Sequence, residues 1–321
     1  MLPIVAFGEA LVDMLSSRLG EQAGTETFTP YAGGAPANVA VACARLGVPS
    51  RFLGMLGDDG FGRFIEAELA RHGVDTRGVV FTRQARTALA FVSRDATGER
   101  TFDFYRPPAA DLLYREEHLP VDAFERPVIL HLCSNSLTEA DIFATTLAIA
   151  RRGADAGALI SVDANLRHNL WAQGEASIER VTALLDTATM IKVSREELDY
   201  LRGPLNPQAW MAKRLAAGAR VILVTDGPSE VRLKTATLDQ GITPPRVRAV
   251  DTTAGGDAFM GGFLASISRR CAAYERPLEA LDGSEALIEA VDIACRCGAF
   301  AVTRPGAYAA LPTRQDIDAL A

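Results

Sequence analysis

Lysine is scarce in this chain of 321 residues, where only three of the 33 basic residues are lysines: Lys192, Lys213 and Lys234. None of the three follows a glycine, which excludes a Walker-type phosphate loop ending in Gly-Lys. If the protein binds a nucleotide, it therefore has to hold the phosphate groups with backbone N–H groups and arginines.

The chain also lacks an excess of positive charge, since its formal net charge is −7 and its pI is near 5.3. The arginines are scattered and form no basic patch, so we expect no nucleic-acid partner. No apolar run reaches the roughly 18 residues that a membrane span needs, so we expect no membrane partner. No secretion leader is recognisable at the N-terminus, and we predict a cytoplasmic protein.

Cysteines are few, and we interpret all five as reduced thiols because nothing in the sequence indicates an oxidising compartment. Cys295 and Cys297 are spaced like half of a metal site, but no second pair and no nearby histidine completes four ligands. We interpret these two as small residues on a buried helix. The five are Cys43, Cys133, Cys271, Cys295 and Cys297.

Short apolar runs alternate with amphipathic stretches along most of the chain. This βαβ rhythm predicts an α/β fold with a mainly parallel sheet covered by helices on both faces. No repeat, linker or low-complexity tract interrupts it, so we expect a single domain over residues 1–321. The predicted strands are 4–7, 51–56, 128–132, 159–162, 190–193 and 221–225, and the predicted helices are 36–46, 61–71, 138–151 and 178–185.

One insertion breaks the rhythm. Two strand-like runs, residues 87–93 and 100–105, are joined by the turn sequence Asp95-Ala96-Thr97-Gly98, which predicts a β-hairpin. Residues 11–31 also alternate without a helical period, so the two stretches could pair into a small separate sheet. Such a sheet would be a lid over the strand ends, with segments at about 11–31 and 85–107. An ordinary surface hairpin is the alternative.

The most informative segment is residues 250–263, with the sequence VDTTAGGDAFMGGF. Small residues ahead of a helix let the backbone approach a ligand, and the first N–H groups of a helix attract anions. Ala254, Gly255 and Gly256 would form an anion hole for a transferring phosphoryl group. Asp257 could then accept a proton from an attacking hydroxyl, although a helix-capping role is the alternative.

A second motif opens a predicted helix and has the sequence Gly-Gly-Ala-Pro-Ala-Asn, at residues 33–38. Gly33 and Gly34 expose backbone groups, and Asn38 offers a donor and an acceptor on one amide, as sugar hydroxyls require. Asp13 follows the first strand, at the edge where ligands of open α/β sheets bind, and could receive two hydroxyls. The segment from Asp163 to Arg167 follows another strand in the same way.

Together these segments resemble the ribokinase-like, phosphofructokinase-B type carbohydrate kinases, from Phe7 to about Pro312, and most closely the bacterial fructokinases. The signatures GGxxAN and DTxGAGD of that family read GGAPAN and DTTAGGD here. The resemblance implies a three-layer α/β/α domain with a small β-sheet lid. It also implies ATP-dependent phosphorylation of a sugar hydroxyl, with an anion hole at 254–256 and Asp257 as the base.

For the nucleotide and metal ions the resemblance implies further residues. The Asn-x-x-Glu motif of the family has Ser194 in place of Asn, and its Glu197 would organise the waters of Mg²⁺. ATP would contact Lys192, Thr225, Gly227 and Cys295, while Glu230 replaces a family glycine. A loop beside the anion hole could hold K⁺ through Asp251, Thr253 and Gly306.

For the substrate, the resemblance favours fructose, converted to fructose 6-phosphate. The sugar would be bound by Asp13, Gly33, Gly34, Asn38, Arg106, Asn165 and Arg167.

A 2-keto-3-deoxygluconate kinase is an alternative, because Arg106 and Arg167 could clamp a carboxylate. A non-catalytic sugar-binding regulator is another. A dehydrogenase is disfavoured because no G-x-G-x-x-G follows the first strand. A homodimer could form through the lid.

Overall fold

The computed structural model describes residues 1–18, 20, 25–95 and 100–319, and within them the chain forms thirteen strands. In chain order these are β1 Ile4–Phe7, β2 Leu11–Ser16, β3 Phe28–Gly33, β4 Ser50–Gly57, β5 Asp75–Thr82, β6 Leu89–Arg94, β7 Arg100–Tyr105, β8 Ile129–Cys133, β9 Leu159–Asp163, β10 Met190–Ser194, β11 Val221–Thr225, β12 Val231–Lys234 and β13 Asp239–Ile242.

Nine of these strands form the main sheet, in the order β13-β12-β11-β10-β9-β8-β1-β4-β5. The seven strands from β11 to β5 are parallel, and β12 and β13 extend the sheet as antiparallel edge strands. Successive side chains of a strand point to opposite faces. Ile4 and Ala6 accordingly pack into one buried apolar cluster, and Val5 and Phe7 into another. The predicted parallel sheet with two covered faces is confirmed.

The helices of the described residues cover both faces. Residues of α1, α2, α7 and α8 pack into the first cluster, and residues of α3, α4, α5 and α6 into the second, which gives three layers. The helices are α1 Ala35–Arg45, α2 Gly60–Arg71, α3 Ala140–Asp155, α4 Ile178–Leu185, α5 Arg195–Leu201, α6 Pro207–Ala216, α7 Gly255–Arg270, α8 Ser284–Ala301 and α9 Arg314–Asp318. Short 3₁₀ turns occupy Ala110–Leu113, Glu116–His118, Ser134–Leu137, His168–Leu170, Cys271–Ala273, Pro277–Leu281 and Tyr308–Ala310.

The other four strands form a small sheet in the order β3-β2-β6-β7. β6 and β7 pair antiparallel, as the hairpin prediction required, while β2 joins β3 antiparallel and β6 parallel. Four residues of the predicted connection, 96–99, lie outside the described residues. The insertion and residues 11–31 thus do combine into one sheet apart from the main one.

Helix α7 packs closely against two neighbours because its middle residues are glycines. A Cβ on Gly261 would overlap the Cβ of Ala42 in α1, and one on Gly262 would lie 2.7 Å from the Sγ of Cys297 in α8. The two glycines therefore let α7 lie close to both α1 and α8. The five cysteines are free and buried, and no group of three or more His, Cys, Asp or Glu side chains in the described ranges is arranged to hold a metal. No helix among those residues is both long and apolar enough to cross a membrane.

Candidate active site

A pocket lies where the carboxyl end of the main sheet meets the starts of α1 and α7 and the inner face of the small sheet. Strand ends and helix starts supply its polar groups, and strand β7 supplies aromatic ones. It is lined by Glu9, Leu11, Asp13, Gly34, Ala35, Asn38, Phe102, Phe104, Arg106, Asn135, Asn165, Arg167, Leu170, Thr253 and Asp257. All of the predicted sugar-binding residues except Gly33 are therefore among its lining residues.

Asp257 lies in the first turn of α7 and its carboxylate faces this pocket. Its Oδ2 accepts a hydrogen bond of 2.7 Å from Nδ2 of Asn38, and its Oδ1 a long one of 3.5 Å from Nδ2 of Asn165. Asn165 holds its side chain there from a backbone with φ of 41°, in the left-handed region that asparagine tolerates. A carboxylate bound by two side chains of other elements suits a site base better than a helix cap.

Burial raises the pKa of Asp257 to about 7, against the hydrogen bond from Asn38, which lowers it. The Asp163 carboxylate raises it further, and Arg167 and Lys192 oppose that effect. At neutral pH the group is thus poised between its acid and base forms, which is the range in which a general base works best.

A buried ion pair lies beneath the start of α7. Nζ of Lys192 donates to both carboxylate oxygens of Asp163, at 2.9 and 3.0 Å, and it lies 3.5 Å from the place of a Cβ on Gly256. Burial alone would lower the pKa of Lys192, but Asp163 and Glu197 outweigh it and the pKa is raised. Lys192 therefore stays positively charged under the predicted anion hole.

The predicted anion hole lies in the loop before α7 and in the first residues of that helix. Ala254 has φ of −100°, so the alanine that stands where the family has glycine causes no backbone strain. Gly255 is required for another reason, since its Cβ would come within 2.8 Å of Cγ1 of Val302. The Gly255 N–H makes only a long bond of 3.3 Å, to the Thr252 carbonyl.

The paired glycines of the first motif let the chain pass close to the end of β1. A Cβ on Gly34, whose φ is 104°, would lie 2.6 Å from the carbonyl oxygen of Glu9. A Cβ on Gly33 would lie 2.5 Å from Oδ2 of Asp13. Gly33 therefore does not line the pocket itself but leaves the room that the Asp13 carboxylate occupies.

Arg106 is buried and already engaged by protein groups. Its Nε and Nη2 donate to Oδ2 of Asp111 at 2.8 and 2.6 Å, and Nη2 also donates to the carbonyl of Asn135 at 2.8 Å. Only Nη1 is left without a partner among the described residues. A carboxylate clamp by Arg106 and Arg167 would therefore have only Nη1 available from Arg106, since Nε and Nη2 are bound to Asp111 and Asn135.

Glu197 connects the start of α5 to the loop after β9. Its Oε2 accepts from the N–H of Ser194 and its Oε1 from that of Leu166, both at 2.7 Å, while Ser194 caps the helix in return. Each carboxylate oxygen keeps a second lone pair, so the residue fits the predicted role of holding metal-bound waters. That role stays a prediction.

The three residues predicted to hold K⁺ lie together. One carboxylate oxygen of Asp251 accepts from the N–H of Thr253 at 3.0 Å, and the other from that of Gly306 at 2.8 Å. Gly306 has φ of 93°, which a glycine adopts without strain. The three residues are therefore neighbours in the structure, and their role in holding K⁺ stays a prediction.

The residues predicted for the nucleotide lie on strands β10 and β11, in the turn after β11 and on helix α8, with Lys192 on β10. Thr225 ends β11, and Gly227 follows in a turn with φ of 52°. Cys295 lies on α8 and is buried, so a contact between its thiol and a base stays a prediction. The Glu230 carboxylate, which stands where the family has glycine, packs against Gly241 of β13.

Two buried partners at the site were not assigned a role from the sequence. Glu9 accepts from Nδ2 of Asn135 at 2.9 Å and from the Ala35 N–H at 3.3 Å, and burial raises its pKa although Arg106 opposes this. Asn135 comes two residues after β8. Both residues come two positions after a buried strand, and this signal could have identified them, although it is applied above only to Asp13 and to residues 163–167.

The fold and the site together define a ribokinase-like kinase, in which a pocket lined by polar groups ends at the N-terminus of a glycine-rich helix. A model of the pfkB family carbohydrate kinases matches residues 1–314. A curated relative, probable fructokinase-5 of Arabidopsis thaliana, is 39% identical over 319 residues, which cover 99% of this chain and 96% of the relative. The chain belongs to the pfkB family of carbohydrate kinases.

Solved structures agree with this assignment. A fructokinase from Xylella fastidiosa with bound ATP is 42% identical, with a TM-score of 0.92 over 99% of this chain and 97% of that one. A double-mutant fructokinase from Vibrio cholerae, in a form with bound fructose, ADP and potassium ion, is 30% identical, with a TM-score of 0.88 over 99% and 98%.

Proposed function

We propose that the protein transfers the γ-phosphoryl group of ATP to fructose and forms fructose 6-phosphate, with Asp257 as the general base. The observation that carries this proposal is the place of Asp257, whose carboxylate faces the sugar pocket from the first turn of α7. The sugar hydroxyl would lose its proton to this carboxylate as it attacks. The N–H groups of Ala254, Gly255 and Gly256 would hold the charge of the transferring group.

Fructose is favoured over an acid sugar by the state of Arg106. Two of its three nitrogens are bound to Asp111 and Asn135, so it can offer a ligand only a single nitrogen. One nitrogen suits a hydroxyl or ring oxygen, whereas a carboxylate is held best by two parallel bonds from two nitrogens. Arg167 is exposed and is the remaining cation of the pocket lining.

Two metal ions and a moving lid complete the proposal. Mg²⁺ would neutralise charge on the phosphates, with its waters held by Glu197. K⁺ would lie at Asp251, Thr253 and Gly306, beside the anion hole.

The small sheet would be the lid, since Phe102 and Phe104 reach the pocket from it. The lid segments are 11–31 and 85–107, within a single domain over residues 1–321. ATP supply and five free thiols suit the cytoplasm.

A panel of sugars tests this function. Purified protein with ATP and Mg²⁺ is given fructose, glucose, ribose and 2-keto-3-deoxygluconate, and ADP release is measured for each. We expect the highest kcat/KM with fructose and a product that is fructose 6-phosphate by NMR. A higher kcat/KM with 2-keto-3-deoxygluconate would overturn the substrate, and sugar binding without ADP release would mean a regulator.

A further inference from the structure

Two asparagines of the pocket are held by carboxylates in the same manner. Nδ2 of Asn38 donates to Asp257 at 2.7 Å, and Nδ2 of Asn135 donates to Glu9 at 2.9 Å. Both residues are 4% exposed and both line the pocket. An ionised carboxylate only accepts hydrogen bonds, so each one fixes its amide with the N–H₂ group towards it. In both residues Oδ1 is buried and has no partner among the described residues.

The third orphan group of the pocket lining is a donor. Arg106, whose other nitrogens are bound as described above, keeps a buried and unpartnered Nη1. The pocket thus presents two carbonyl acceptors, from Asn38 and Asn135, and one N–H₂ group, from Arg106. Leaving such buried groups unpaired is costly, so a ligand that pairs all three is strongly selected.

We propose that Asn135, oriented by Glu9, determines sugar specificity by accepting a hydrogen bond from one hydroxyl of the substrate that is not phosphorylated. Glu9 acts through Asn135 and is a positioning residue. The inference rests on the proposed phosphorylation of fructose, and it explains why the pocket suits a neutral polyol. A hydroxyl can donate to Oδ1, whereas a carboxylate in its place would face a carbonyl oxygen.

The test combines Asn135→Ala with the removal of single hydroxyls from the substrate. We would measure kcat/KM for fructose and for monodeoxy fructoses, each lacking one hydroxyl other than the phosphorylated one. In the parent, one analogue should be about tenfold or more poorer than fructose, because it leaves Oδ1 unpaired. In Asn135→Ala the disadvantage of that analogue should shrink by about five- to tenfold, while the other ratios stay the same.

Glu9→Gln is the second variant and decides the question if Asn135→Ala does not fold. A glutamine can face Asn135 with either its oxygen or its N–H₂ group, so the Asn135 amide is no longer fixed, and the same ratio should shrink. Asn206→Ala, which removes the cap of α6 far from the site, controls for a general loss of stability and should change no ratio.

Two outcomes are kept apart by this design. An equal loss of kcat/KM for fructose and all analogues in both variants would overturn the inference, because Asn135 would then be only structural. A parent enzyme that does not phosphorylate fructose would instead overturn the proposed function. In that event, measuring the binding of fructose and its analogues to the parent and Asn135→Ala by calorimetry still tests the role of Asn135.

Discussion

Asp257 carries its negative charge in a buried place, and the residues around it determine how easily it gains a proton. Burial and the Asp163 carboxylate favour the protonated form, whereas the Asn38 amide and the Lys192 ammonium favour the ionised one. A pKa of about 7 results from this balance. Asn38, which is predicted to bind the sugar, therefore also affects the pH range in which the base can act.

Asp257→Asn keeps the size of the side chain and removes the base. We expect kcat to fall at least about a hundredfold, the usual contribution of a general base. ATP binding should stay near that of the parent. Single-turnover kinetics would measure the rate and its dependence on ATP concentration, and thermal unfolding would check that the variant is folded. Turnover near that of the parent at saturating sugar and ATP would exclude the catalytic role.

The rate should depend on pH through the same group. Asp257 accepts a proton only when it is ionised, so kcat/KM should decrease as the pH falls below about 7. Asn38→Leu removes the hydrogen bond that lowers this pKa, so the decrease should begin at a higher pH. pH–rate profiles of both proteins measure the shift. Any residual rate of Asp257→Asn should be flat over this range, and an unshifted profile in Asn38→Leu would contradict the assignment.

The contribution of Asp257 to the stability of the fold should decrease with rising pH, in contrast to the rate, which should increase. The pKa of Asp257 in the folded protein lies above its ordinary value of 3.8, so the folded state binds the proton more tightly than the unfolded one. The stabilisation is full below about 3.8 and is lost as the pH rises to about 7. Denaturant unfolding should therefore show that the free energy of unfolding of Asp257→Asn increases relative to that of the parent as the pH rises over that interval.

Gly33 affects sugar binding through the room it leaves for Asp13. A Cβ at this position would lie 2.5 Å from Oδ2 of Asp13, so Gly33→Ala should displace the carboxylate and raise the KM for sugar. Asp13→Ala should cost about one to two orders of magnitude in kcat/KM, the value of a hydrogen bond to a charged group. Gly60→Ala, where a Cβ meets nothing within 4 Å, is the control. Equal KM values in all three variants would contradict the role of Asp13.

At the scale of elements, the strands of the main sheet that were predicted are those whose short apolar runs are buried on both faces. β1, for example, is predicted at the residues where it occurs, because Ile4 to Phe7 are all buried. The edge strands β12 and β13 escaped prediction since Val231–Lys234 alternates polar residues over only four positions and Asp239–Ile242 is mostly polar. The contact of Glu9 with Asn135 joins residues 126 apart, which no local pattern reveals.

The contact between α1 and α7 can be tested with one substitution whose effect on stability should change sign between two backgrounds. Gly261→Ala should lower the free energy of unfolding, because overpacking against Ala42 costs about 1 to 3 kcal/mol and exceeds the gain in helix propensity. In an Ala42→Gly background the overlap is gone, so the same substitution should stabilise by about 1 kcal/mol. Urea unfolding of the four proteins measures the coupling. Additive effects would show that the helices are not in close contact here.

At the scale of the whole molecule, the small sheet has two unlike faces. Phe102 and Phe104 alternate with Asp103 and Tyr105 along β7, so one face is directed to the pocket and the other away from it. On the outer face Phe91 packs against Phe28 and Tyr105, with ring centroids 5.1 Å apart in both pairs. The position of the sugar pocket thus leaves an aromatic surface on the far side of the sheet.

We predict that this outer face joins two copies of the chain in a homodimer. Tyr105 is 61% exposed beside Phe91, and a partly exposed aromatic cluster is the kind of surface that interface cores bury. Tyr105→Glu places a charge there and should weaken self-association by about tenfold or more, which light scattering over a dilution series measures. Leu278→Glu alters an exposed apolar residue that is 45% exposed and outside the small sheet, and it should leave the assembly unchanged. A parent that is monomeric throughout the series, or an equal response of both variants, would mean that the small sheet meets only solvent.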